Sequence, residues 1–113
     1  MSHIKSTIRI QHRDHIAMGP GKADLLEAIL QLGSISAAAK SMNMSYKRAW
    51  DLVTVMNASF KSPLVITAVG GSHGGGATLT EIGQEVLRLY RDLQIKAEEY
   101  VQVEAQQLAE LLL

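Results

Sequence analysis

Residues 33–60 read GSISAAAKSMNMSYKRAWDLVTVMNASF, and they decide the fold because their pattern is that of two short helices joined by a tight turn. Ser34 or Ser36 can cap the first helix, since a serine hydroxyl accepts one of the N–H groups that a helix start leaves without a partner. Ala37, Ala38 and Ala39 leave so little side-chain bulk that a second helix can approach this one closely. Asn43 closes the helix, because asparagine tolerates the left-handed conformation that a helix C-terminus needs. The turn is Asn43, Met44 and Ser45, with Ser45 placed to cap the second helix. In that helix Ala49, Leu52, Val53 and Met56 recur at helical spacing and are expected to face a core. Tyr46, Lys47 and Arg48 fall in its first turn, where a helix entering a DNA major groove offers side chains to phosphates and base edges. The same pattern also fits a helical hairpin inside an all-α domain, so the flanking sequence has to separate the two.

Upstream, Leu25, Leu26, Ile29, Leu30 and Leu32 form a broad apolar stripe on a helix predicted from Lys22 and stopped by Gly33. This gives the pair a third helix to pack on. Before it, Ile4, Ile8 and Ile10, extended by Ile16 and Met18, alternate with polar residues as in a half-buried strand, which Met18-Gly19-Pro20-Gly21 breaks. His3, His12 and His15 lie there without a carboxylate pair or a fourth ligand at fixed spacing, and read as surface residues rather than a metal site.

Downstream, Lys61-Ser62-Pro63 ends the second helix, and Leu64 to Val69 reads as a strand. The glycine-rich run Gly70 to Gly76 and a return strand Ala77-Thr78-Leu79 complete a hairpin, a wing over residues 64–79. The run lacks the Gly-Lys-Ser/Thr ending of a phosphate-binding P-loop and lies between strands, which argues against a nucleotide site. Bare backbone at Gly74, Gly75 and Gly76 can instead lie close to DNA and donate N–H groups to phosphates.

Thr80 caps the last helix, and Glu81 in its first turn suits the positive end of the helix dipole. Ile82, Val86, Leu89 and Leu93 recur at spacings of four and three, roughly continued by Ala97, Tyr100, Glu104, Leu108 and Leu111. A helix over residues 80–111 would be about 48 Å long at 1.5 Å per residue. A 12.3 kDa chain cannot cover such a stripe, so a second copy packed against it, as in a short coiled coil, is expected.

The 113 residues fit one domain. The absence of cysteine excludes disulfides and thiolate metal sites. No apolar run approaches the roughly 20 residues of a membrane span and no secretory signal is present, so a soluble cytoplasmic protein is expected. Net charge is zero, but residues 1–77 carry eight Lys/Arg against four Asp/Glu, a balance of +4, whereas residues 78–113 carry three against seven, −4. Phosphate attraction is local once salt screens beyond roughly 10 Å, so a basic front with an acidic back suits a DNA-binding face.

The run GSISAAAKSMNMSYKRAWDLVTVMN, the strand onset Pro63-Leu64-Val65 and the wing ending GGGATLTEIGQEVL (residues 74–87) resemble the N-terminal DNA-binding domain of molybdate-responsive ModE-type regulators, related to the winged helices of LysR-type regulators. The resemblance covers nearly the whole chain. It implies a mainly α fold with a small β wing, a winged helix-turn-helix over residues 1–113 that dimerises through its first and last long helices and binds a palindromic operator. It places Ser36, Ser45, Tyr46, Lys47, Arg48, Gly74, Gly75 and Gly76 at DNA, and residues 45–60 as the recognition helix. Ile82, Val86, Leu89 and Leu93 are the expected dimer residues, on a dimerisation helix over 80–111. Trp50 matches the family's tryptophan and is expected to pack against neighbouring elements rather than stack on DNA. Full-length members sense molybdate through C-terminal oligobinding modules that begin where this chain ends, so molybdate is not expected to bind here, and no cofactor is implied.

Three functions then compete. The leading one is a homodimeric, sequence-specific DNA-binding transcription regulator. The second is a winged-helix protein-interaction module that does not bind DNA and docks through the acidic last helix. An enzyme is a distant third: no Ser/His/Asp set, paired carboxylates or metal-ligand spacing appears, and His73 has no identifiable chemical partner.

Overall fold

The computed structural model describes residues 4–68 and 76–113. The segment before the first helix is a hairpin rather than the single strand expected. Strand β1 (Ile10–His12) pairs antiparallel with β2 (His15–Met18), His12 opposite His15. The turn between them is made by Arg13, at φ 55°, and Asp14, a left-handed turn without a glycine to announce it. Ala17 and Met18 are buried while β1 stays exposed, so only the second strand reaches the core.

Helix α1 (Pro20–Leu32) opens at Pro20, ahead of the predicted Lys22: Gly19 is the N-cap, and Pro20 at the helix start lacks only an N–H that would have no helical partner. Gly33 ends it at φ 75°, donating its N–H to the Ile29 carbonyl at 2.8 Å. Its buried face is Ala23, Leu25, Leu26 and Ile29, whereas Leu30 and Leu32 are about half exposed, making the stripe narrower than predicted.

Ser34, not Ser36, caps α2 (Ile35–Ser41), accepting the Ala37 N–H at 2.9 Å. Asn43 takes the left-handed conformation at φ 56° as expected, and Met44 N–H returns to the Ala39 carbonyl at 3.0 Å. Helix α3 (Tyr46–Ser59) starts with the Ser45 hydroxyl accepting the Arg48 N–H at 3.1 Å. Ala38, Ala39 and Ala49 are buried in the same cluster as Val53 and Met56, so the alanines do provide the close contact between α2 and α3.

Asn57, near the end of α3, holds the wing. Its Oδ1 accepts from Leu64 N at 2.8 Å and from Val65 N at 3.1 Å, and its Nδ2 donates to the Val65 carbonyl at 3.0 Å. Strand β3 (Val65–Thr67) pairs antiparallel with β4 (Ala77–Leu79), Val65 opposite Leu79. Ala77 N–H donates to the Gly33 carbonyl at 2.8 Å, joining the wing to the end of α1.

Helix α4 (Glu81–Glu104) is capped by Thr80, whose hydroxyl accepts the Gly83 N–H at 3.0 Å and donates to the Pro63 carbonyl at 2.7 Å. Its core face is Gly83, Leu87 and Tyr90. Tyr90 Oη donates to the Ile8 carbonyl at 2.6 Å, and Arg91 reaches Asp24 at 2.8 Å and Glu27 at 3.3 Å on α1. Burial opposes the Arg91 charge, but the Asp24 hydrogen bond and the two carboxylates outweigh it and hold the guanidinium's pKa above its usual value. The predicted single helix over 80–111 breaks at Ala105, and a short α5 (Gln106–Ala109) follows. Beyond Tyr90 no residue of α4 is buried, Tyr100, Val103 and Leu108 are each about two-thirds exposed, and no side chain caps α5, so nothing enforces continuity there.

Candidate nucleic-acid interface

The start of α3 presents Ser45, Tyr46, Lys47 and Arg48 outward, all exposed, while Ala49, Val53 and Met56 behind them are buried and Leu52 is half-buried. The burial of three residues at helical spacing fixes the rotation of α3, and that rotation decides which side chains reach solvent. Ala49, Val53 and Met56 point inward, so the direction opposite them passes between Lys47 and Asp51. Lys47 Nζ pairs with Asp51 Oδ2 at 2.9 Å across one turn, with both side chains more than half exposed. Such a pair is worth only about 0.3–0.5 kcal/mol, so Lys47 can leave it for a phosphate. Arg48 lies on one flank, beside a shallow groove of about 310 Å³ that it shares with Leu52 and Val55. On the other flank Tyr46 and Trp50 stack, ring centroids 6.2 Å apart and planes inclined by 26°.

Trp50 therefore does not pack as expected. It is 43 % exposed, and its ring partner is Tyr46 of its own helix. The reason lies in α3's rotation: the i, i+4 step from Tyr46 carries Trp50 along the same flank, away from the buried Ala49–Val53–Met56 side.

Ser36 is exposed on α2 with Ser34 occupying the cap, so its hydroxyl is free of that duty. Gly76 is exposed, yet a Cβ there would stand 3.2 Å from the Gly33 carbonyl oxygen, so glycine is favoured at this position by the junction with α1. Gly74, Gly75 and His73 lie outside the described residues. Charges differ between the two ends of the fold. On α4 each of Arg88, Arg91 and Lys96 is paired with a carboxylate. Among the described residues Lys40 on α2, Arg48 on α3 and Lys61 after it have no ion-pair partner. His15 Nε2 lies 2.9 Å from Ser59 Oγ, which ties the hairpin to the end of α3, and its ring meets that of His12 edge-on within the hairpin. Among the described residues no group of three or more His, Cys, Asp or Glu could hold a metal ion, and no helix is long and apolar enough to cross a membrane.

The residues the sequence pattern did not single out are Asn57, Gly83, Leu87 and Tyr90. Asn57 carries the one available signal, an amide near a helix end just before a strand, since Asn side chains satisfy backbone groups in turns.

All of α1 but its first two residues, α2, α3, the wing and the first turn of α4 fall within residues 22–84, and these match the sequence profile of the family described as bacterial regulatory helix-turn-helix protein, lysR family. The chain belongs to that lysR family. Its members are DNA-binding transcription regulators and not enzymes. Among its relatives, the molybdenum transport protein ModE of Azotobacter vinelandii is 44 % identical over 80 residues, covering 71 % of this chain and 30 % of that protein. The DNA-binding transcriptional dual regulator ModE of Escherichia coli K12 is 40 % identical over 89 residues, covering 79 % and 33 %. The transcriptional regulator ModE of Haemophilus influenzae is 38 % identical over 99 residues, covering 88 % and 38 %. The chain thus spans about a third of the length of these relatives. A crystal structure of ArgP from Mycobacterium tuberculosis superposes with a TM-score of 0.51 at 22 % identity, over 81 % of this chain and 30 % of that one, which shows the shared fold. The ModE likeness expected from GSISAAAKSMNMSYKRAW and the wing therefore holds, as does the mainly α fold with a two-stranded wing.

Proposed function

We propose that this lysR-family chain acts in the cytoplasm as a homodimer that binds a palindromic DNA operator, each copy placing α3 in a major groove and its wing along the adjacent backbone. The observation that carries the reading is the rotation of α3, which buries Ala49, Val53 and Met56 and leaves Ser45, Tyr46, Lys47 and Arg48 exposed in its first turn. In this reading Lys47 meets phosphate or a base edge at the centre of the face, Arg48 offers its two-pronged guanidinium from one flank, and Ser36 and Ser45 donate hydroxyls to the backbone. The wing glycines Gly74, Gly75 and Gly76 approach the phosphates.

Dimerisation rests on α4. Ile82 and Val86 lean on the core, whereas Leu89 and Leu93 are about half exposed beside an apolar groove of about 210 Å³ lined also by Ile10, Phe60 and Tyr90. A second copy's α4 would cover these residues, and two linked half-site contacts would reinforce each other. Titration of the purified protein against a random duplex pool at several salt concentrations tests the proposal. Sequence-selective binding that weakens steeply with salt is the expected result. Absence of binding to any duplex would transfer the fold to the interaction-module reading, with acidic α4 as its docking surface.

A further inference from the structure

Tyr46 and Trp50 are 54 % and 43 % exposed, although each carries enough apolar surface to contribute strongly to a core. Their rings are stacked on each other. Thr54, exposed, continues their line at the next i+4 step, so the three span about 12 Å along the helix at 1.5 Å per residue. That is the rise of three to four base-pair steps at about 3.4 Å each. Lys47, next to the stack on the exposed face, is ion-paired with Asp51, and Arg48 stands on the opposite flank of the helix. The pair is thus an apolar patch bordering the Lys47–Asp51 pair on the face that the DNA-binding reading turns to the groove, where a ligand with apolar points among its polar groups would meet it.

We propose that the Tyr46–Trp50 pair is a base-reading platform that recognises thymine in duplex DNA through its C5-methyl group. The inference rests on the DNA-binding reading above and adds to it a base and the side chains that select it. In the major groove the thymine methyl is the one apolar mark among hydrogen-bonding groups, and apolar side chains read it by contact. Two aromatic rings that already brace each other have few rotors left to freeze, so they meet that methyl with little loss of entropy. Trp50 is the sole tryptophan of the chain, so its replacement removes one identifiable contact.

The test uses the full chain and the best duplex it selects from a random pool. Each thymine is replaced singly by deoxyuridine, which deletes the methyl and keeps the hydrogen-bonding edge. The parent protein should lose about fourfold in affinity at the thymine the platform touches, the effect of one methyl withdrawn from contact. In Trp50→Ala that thymine-to-uracil ratio should fall to one at the same position, while ratios elsewhere stay as in the parent. Trp50→Phe should keep most of it. Trp50→Gln, which keeps a longer side chain but has no ring, should repeat the alanine result and separates loss of the ring from loss of bulk. Equal ratios in parent and variants, or a selected duplex with no methyl-sensitive thymine, would overturn the proposal while leaving DNA binding intact. A parent protein that binds no duplex would instead bring down the underlying DNA-binding reading and the platform with it.

Discussion

A Cβ built on Gly83 would stand 2.1 Å from the carbonyl oxygen of Leu64 and 3.0 Å from its carbonyl carbon. Helix α4 and the chain leading into β3 therefore meet backbone to backbone, and the same Leu64 oxygen accepts the Thr80 N–H at 2.9 Å. The glycine is required by this approach and not by an unusual dihedral. Because the wing follows Leu64 and the proposed dimer helix follows Thr80, this contact sets the angle between the two.

Gly83→Ala should accordingly destabilise the domain by about 3 kcal/mol or more, since backbone cannot move aside as a side-chain tip can, and lower Tm by roughly 10 °C or more. Gly21→Ala is the control. It lies in the first turn of α1 with nothing within 4 Å of the added Cβ, and should be neutral or stabilise by up to about 1 kcal/mol. Thermal melting of the two variants beside the parent checks both; equal melting temperatures would refute the contact.

Asn57→Ala should cost about 2–3 kcal/mol, because it leaves Leu64 N and Val65 N without the acceptor that both share. Asn57→Asp keeps that acceptor but turns the donor to the Val65 carbonyl into a second acceptor facing it, so it should recover only part of the loss and fall between parent and alanine. Chemical denaturation gives the order. Hydrogen exchange adds a local reading: in the alanine variant the amides of β3 should lose protection before those of α1.

How far the sequence foretold this structure depends on how local each signal is. Ser45, Asn43 and the alanine run act within a turn of themselves, and the helix-turn-helix was legible because nothing distant overrides them. The N-terminal hairpin was not, because its turn uses Arg13 in a left-handed conformation without Gly. On α4 the visible stripe of Ile82, Val86, Leu89 and Leu93 hid a second one, Gly83, Leu87 and Tyr90, and only the position of α1 and Leu64 reveals which of the two meets the core. Trp50 was misjudged by general burial tendency, which knows nothing of the rotation that the core imposes on α3. The break at Ala105 carries no Pro or Gly to mark it.

The two-stripe character of α4 separates folding from assembly. Leu87→Glu places a charge at a buried position and should prevent folding, whereas Leu89→Glu and Leu93→Glu alter exposed positions and should leave a folded monomer. Sedimentation at micromolar concentration should show a dimer for the parent and a 12.3 kDa species for the two exposed variants, with circular dichroism unchanged. Operator affinity should fall with dimerisation, through loss of the second half-site. A parent that sediments only as a monomer would remove the dimer from the proposal.

Lys47 and Asp51 make the recognition face a balance of charges rather than a simple basic patch. Both stand near the direction opposite the core, and their ion pair cancels locally, so Lys47 has a second task besides meeting DNA: it neutralises a carboxylate that would otherwise confront phosphates. Arg48 has no carboxylate to mask among the described residues. Lys47→Ala should therefore weaken operator binding more than Arg48→Ala, each reducing the salt slope by about one unit if its contact is to phosphate. Part of the Lys47→Ala loss should return in the double variant Lys47→Ala/Asp51→Ala, because the unmasked charge is gone. Asp51→Asn alone should raise affinity for unrelated duplexes, through removal of a repulsive group. Lys96→Ala, whose partner Asp92 lies with it on α4, should change little. Titrations at three salt concentrations with operator and unrelated duplex give all of these at once. A double variant no better than Lys47→Ala would show that Asp51 does not face the DNA.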